Sequence, residues 1–148
     1  MSQPITGKAG AFAGVTLLLI VGFWLCSCTG TVADVASARK AVVHFHQQLD
    51  QEKYADMYAE AAPELHEATK QQDFLALMSA VHRKLGVVQD ATQMQFNVNW
   101  TTSGTRVHLN YQTKFAGGTA TEAFTWKIGG EHPSLVGYNI NSNTLIKQ

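Results

Sequence analysis

Cysteine is almost missing from this chain, and its two copies, Cys26 and Cys28, sit two residues apart near the amino terminus. The roughly 120 residues that follow have no disulfide to draw on and must be held together by packing, which suffices for one core. Net charge is missing too: 11 Lys and Arg balance 11 Asp and Glu. No stretch concentrates cations, which excludes a nucleic-acid partner, because neutralising phosphates takes clustered Lys and Arg. No Gly-x-Ser-x-Gly elbow is present, so the usual hydrolase nucleophile is not written here. Gly117-Gly118 and Gly129-Gly130 precede no helical pattern, so they read as turns and not as phosphate cradles. There is no internal repeat and no low-complexity tract.

One long apolar run exists, Ala11 to Leu25, preceded by a polar stretch with a single cation, Lys8. A charged segment before an apolar one is the pattern of a secretory signal, and the run is short for a membrane span, which needs about 20 apolar residues. Leu25-Cys26-Ser27-Cys28 resembles a bacterial lipobox, an aliphatic residue three before the cysteine and a small one just before it. Cys26 departs from the usual choice at the second position. The resemblance implies cleavage before Cys28, lipidation of its thiol and a palmitate-type acyl anchor. Two or three acyl chains anchor stably where one binds only marginally. The alternative is that Ala11–Leu25 stays as an uncleaved N-terminal helix. Either way the body is expected outside the cytoplasm, on the side away from Lys8, facing the periplasm or the cell exterior. Thr29 in place of an aspartate implies the outer membrane in a Gram-negative cell. The expected organisation is residues 1–28 as signal peptide or anchor and residues 29–148 as one domain.

Within that domain, Met94 to Ile140 reads as four antiparallel strands. Met94, Phe96, Val98 and Trp100 alternate with polar residues, as do Val107, Leu109 and Tyr111, then Phe124, Trp126 and Ile128, then Val136, Tyr138 and Ile140. A period of two marks strands with one apolar face. Taking Ser103-Gly104 and Gly117-Gly118 as two-residue turns places Phe96 opposite Tyr111 and Tyr111 opposite Phe124. A five-residue turn at 129–133 then sets Phe124 opposite Tyr138, with Val98, Leu109, Trp126 and Val136 in the next row. The other face carries Asn97, Asn99, His108, Asn110, Gln112, Thr121 and Thr125, a broad uncharged polar surface.

Ahead of the sheet, Val35, Ala38, Val42, Phe45 and Leu49 recur at helical spacing, predicting a helix from about Thr31 to Gln51. A second passes through Tyr54, Met57, Tyr58 and Ala61 and stops near Pro63, where Leu65 and its neighbours would add a further turn. A third sets Phe74, Leu77, Met78, Val81 and Leu85 on one face and ends at Gly86. Three helices followed by a meander give an α+β fold with helices on one face of an antiparallel sheet. That order resembles the cystatin-like, or nuclear-transport-factor-like, superfold, in which a long first helix lies in a cone formed by a curved sheet. The segments Phe45 to Tyr58, Phe74 to Gly86, Phe115 to Phe124 and Gly137-Tyr138 also look like small bacterial exported proteins of uncharacterised function. These are core and turn positions, which speak to fold and hardly to activity.

Glu122 shares the apolar face with Phe124 and Trp126, and a carboxylate there is a candidate pocket acid; the plainer expectation places it at the sheet's end, in water or against a lysine. Tyr111, Phe124, Trp126 and Tyr138 are the candidate lining of a pocket for a small apolar ligand; equally, they would simply pack on the first helix. His44 and His46 point about 200° apart on a helix. His46 and His82 would meet across helices, but no third ligand is suggested for a metal, and no cofactor is implied. The leading expectation is therefore a non-catalytic, membrane-anchored binding or interaction domain of the cell envelope, with the polar sheet face suited to a homodimer or a partner protein. The alternatives are a cone-fold enzyme of the isomerase or dehydratase type, with Glu122 as base and Tyr111 or Tyr138 as hydrogen-bond donor, and an envelope-complex scaffold.

Overall fold

The computed structural model describes residues 29–146. The expected signal segment and Cys28 lie outside the described residues. The chain forms α1 (Thr29–Asp50), α2 (Tyr54–Ala59), α3 (Pro63–Ala68), α4 (Gln71–Leu85), β1 (Val88–Thr101), β2 (Gly104–Phe115), β3 (Gly118–Ile128), β4 (Ser134–Asn141) and α5 (Asn143–Ile146). It is an α+β domain whose four strands are antiparallel neighbours in chain order. Among the described residues five helices stand where three were expected for the domain. One addition is α3, started by Pro63 at its first position, where proline's missing N–H costs nothing. The other is the single turn α5.

α1 buries the five residues its spacing singled out, Val35, Ala38, Val42, Phe45 and Leu49, and packs across β1, β2 and β3. It ends in a paired closure: the Glu52 N–H donates to the Leu49 carbonyl (3.1 Å) and the Lys53 N–H to the Gln48 carbonyl (2.9 Å). That motif sets its turning residue left-handed, and Glu52 takes φ +57° without being glycine. α4 buries Phe74, Met78, Val81 and Leu85 and ends at Gly86, φ +75°. Leu77, expected on the same face, is largely turned out to solvent.

The pairing differs from the expected one by two residues at both tight hairpins. Thr101 pairs with Gly104 and Phe115 with Gly118, so the turns are Thr102-Ser103 and Ala116-Gly117. Gly104 (φ +119°) and Gly118 (φ +153°) spend their conformational freedom on the first paired residue after each turn. A shift of two preserves which face each side chain occupies. The observed rows are therefore Phe96, Leu109, Phe124, Tyr138 and Val98, Val107, Trp126, Leu135. Phe124 opposite Tyr138 agrees with the expectation. A bulge beside Trp126 brings Leu135 into the core in place of Val136.

Strand β1 departs further. A bulge between Gln93 and Gln95 leaves Met94 unpaired and reverses the parity of the strand. Before it, Ala91 and Gln93 face α1, and Gln93 accepts a hydrogen bond from Arg39 Nε (2.6 Å). After it, Phe96, Val98 and Trp100 share the face of buried Leu109 and Val107. The helices cover that face only in part: Phe96 is 51% exposed and Trp100 63%. On the opposite face Asn97, His108 and Thr125 form one row and Gln112, Thr121 and Asn141 another, as the alternation required.

Candidate functional site

Two of the places that gather polar side chains bear on function, a sealed cluster under α1 and an open cleft beside it. Glu122 stands on β3 opposite Tyr111 and Ile140 and is fully buried, so it neither lies in water nor meets a lysine. Its Oε2 accepts from His46 Nε2 at 2.8 Å and from the Thr113 hydroxyl. Its Oε1 accepts from the Tyr138 hydroxyl at 2.6 Å. The pleat explains the convergence, because Thr113, Glu122 and Tyr138 come from three neighbouring strands and the same face, and α1 lowers His46 onto them. Both oxygens are thus satisfied, as a buried carboxylate requires. Burial, then the negative charge of Glu122, then the hydrogen bond it gives push the Tyr138 hydroxyl well above its ordinary titration range. The proton stays on the tyrosine.

Around this cluster lies aromatic packing. Phe45 sits edge-on to Phe124 at 5.2 Å and 4.9 Å from the Tyr138 ring, and Phe124 stacks on Trp126 at 6.1 Å. Tyr111 meets Phe124 edge-on at 6.0 Å, and burial raises its hydroxyl's titration above the ordinary value. Of the candidate pocket residues, Tyr111, Phe124 and Trp126 are buried and Tyr138 is half-buried. They close on α1 rather than opening on a large cavity. Chemically, Glu122 holds α1 to β2, β3 and β4, and it lines neither the cleft nor the recess beside it.

The cleft lies between α1 and the β3–β4 turn. It encloses about 600 Å³, lined by Ser37, Lys40 and His44 on one side and Glu131, His132 and Pro133 on the other. Glu60 closes one end, its Oε2 receiving Gln48 Nε2 (3.1 Å) and lying 3.1 Å from His44 Nε2. A smaller recess of about 40 Å³ adjoins it and reaches Trp126. Of the four aromatic candidates, Trp126 is the one that lines it, and its buried indole N–H finds no partner among the described residues. The cleft went unread in the sequence because its walls come from residues that look like ordinary surface, on α1 and in a turn more than eighty residues later.

His46 and His82 do not meet. His82 Nδ1 lies 3.2 Å from the Tyr54 hydroxyl, because α4 packs against α2 while His46 is committed to Glu122. Among the described residues no group of three His, Cys, Asp or Glu is placed to hold a metal, and no helix is long and apolar enough to cross a membrane. What fold and site define is a small α+β domain with a sealed polar anchor, an open mixed-charge cleft and one solvent-facing side of its sheet. A family model, described as a protein of unknown function (DUF4019), matches residues 41–138. The chain belongs to that family. The match runs from the middle of α1 to Tyr138 and so includes His46, Thr113, Glu122 and Tyr138. No curated protein matches the chain.

Proposed function

We propose that this chain is a non-catalytic binding or interaction domain of the bacterial cell envelope, tethered to a membrane through Cys28 and built on a cystatin-like cone. The observation that carries the reading is the contrast between its two polar places. The carboxylate best suited to chemistry, Glu122, has all its donors supplied from within and no exposure. The groups left open to solvent sit in a cleft fit for binding, where Lys40, His44, Glu60 and Glu131 offer both signs of charge. An isomerase or dehydratase would instead need Glu122 within reach of substrate. α1 lying along one face of a four-stranded meander supports the cone, and the lipobox-like Leu25 to Cys28 supports the tether.

The uncovered amide face of the sheet favours a second role in assembly. Asn97, His108, Thr125 and Gly137 make one uncharged row across it, suited to another sheet or a partner protein. Labelling cells with a palmitate analogue tests the tether. Wild type takes up label and fractionates with membranes, whereas Cys28→Ser takes up none. Equal labelling of the two, or release of wild type as an unlabelled soluble protein, refutes it.

A further inference from the structure

We infer that the β1–β2 hairpin tip is a membrane-contacting edge, seating Phe96 and Trp100 in the lipid interface beside the point where the tether enters the domain. This rests on the tethered reading above and adds an orientation to it.

The placement follows from two contacts between α1 and β1. Asp50 Oδ1 accepts from the Val88 N–H (3.0 Å) and Gln93 accepts from Arg39 (2.6 Å), so helix and strand run antiparallel. From Asp50 to Arg39 is ~16 Å of helix, and from Val88 to Gln93 is ~16 Å of strand; the two rises match. Continuing from Arg39 to Thr29 adds ~15 Å of helix, which on the strand reaches about Val98. Val98 packs against the edge of the core, and its neighbours on that face are the exposed Phe96 and Trp100. The helix thus begins where the sheet's apolar face is left open. Val32, in the first turn of α1, is 72% exposed at the same level.

Chemistry agrees with placement. From Met94 to Thr105 the chain holds no charged residue, so bringing this tip to the acyl boundary desolvates no ion. Tryptophan settles at the headgroup level, and tryptophan and phenylalanine together make up the apolar faces that interfacial segments bury at the acyl boundary. The 28 residues before α1 include the apolar run Ala11 to Leu25 and end at Cys28, so a tether at Cys28 enters the domain at this end. The charged β3–β4 turn, with Glu131 and His132, closes the same end of the sheet as the β1–β2 tip but joins the two strands farthest from β1.

The test uses the full chain carrying Trp24→Phe, reconstituted in phosphatidylethanolamine–phosphatidylglycerol vesicles whose acyl chains are brominated near the headgroups. Emission from Trp100 is obtained by subtracting the Trp24→Phe/Trp100→Phe protein. Trp100 is expected to lose most of its emission to the brominated lipid and to be spared by aqueous iodide, in protein that floats with the vesicles. Floating protein whose Trp100 is quenched by iodide and spared by bromolipid overturns the orientation and leaves the tether standing. Floating protein in which neither agent reaches Trp100 also overturns it, since residues 11–25 or a second copy then covers the tip. Protein that does not float overturns tether and orientation together.

Discussion

Replacing Glu122 by glutamine keeps the shape of the side chain and removes what the cluster depends on. The carboxylate accepts from His46, Thr113 and Tyr138; an amide offers one acceptor oxygen and one donor group. With its oxygen turned to Tyr138, its NH₂ faces Thr113 and His46. Threonine can rotate its hydroxyl to accept, but His46 must exchange its tautomer or leave a donor stranded. Hydrogen bonds to a charged group contribute about 1.5–3 kcal/mol and neutral ones about 1, and a stranded buried donor costs about 1–3. Glu122→Gln should therefore destabilise the fold by about 2–4 kcal/mol, a fall in Tm of about 8–15 °C for a domain of this size. Urea unfolding followed by far-ultraviolet circular dichroism measures it, with an unchanged slope showing that a single transition is being compared. Glu67→Gln on the exposed side of α3 should stay within about 0.5 kcal/mol of wild type. A loss below about 1 kcal/mol at Glu122 would refute the account of it as a triply bonded anchor.

The same tyrosine makes the stability depend on alkaline pH. Because Tyr138 holds its proton well above its ordinary value of 10.0 in the fold, its share of stability is complete below that pH. It is lost as the pH rises toward the folded value, while the unfolded chain gives up the proton first. Urea midpoints of wild type should fall more steeply above about pH 10 than those of Tyr138→Phe, and parallel curves would contradict the assignment. Glu52, left-handed at φ +57°, should gain about 1 kcal/mol on change to glycine, seen as a raised thermal midpoint. Gly117→Ala should cost at least about 1 kcal/mol in urea unfolding, since a Cβ there would lie 2.9 Å from the Lys84 carbonyl oxygen and 3.1 Å from that of Leu85.

The fold was legible wherever a single element sets its own period. The stripe from Val35 to Leu49 names the buried face of α1, and alternation within β2 and β3 separates inward from outward residues correctly despite the shifted register, whereas in β4 it holds only from Tyr138 onward because the bulge exchanges Val136 for Leu135. Turn glycines misled because sequence shows where left-handed backbone is affordable, and not which side of the turn will use it. Gly117 has another constraint: its N–H donates to the Leu85 carbonyl at 2.7 Å, a contact with the end of α4 that no local pattern contains. Leu77 shows the same limit, since its spacing fits the stripe and only the width of the neighbouring layer decides that it stays outside.

Tertiary convergence explains the rest. Glu122 was visible as a carboxylate on an apolar face, but its meaning depended on what came down onto it. His46 lies one residue beyond Phe45 on the flank of the α1 stripe and could have turned to solvent, to His82 or to the sheet. The choice is made by the distance between α1 and β3, which the aromatic rings fix. Phe45 and Phe124 hold their ring centroids 5.2 Å apart, and at that spacing the imidazole nitrogen reaches the carboxylate. Apolar packing therefore sets the geometry and the polar cluster locks it, so a histidine that looks incidental in sequence becomes the residue that ties the first helix to the sheet. The same packing stops short of the hairpin tip. α1 begins level with Val98, and the apolar alternation of β1 continues to Trp100 with nothing in the described domain above it.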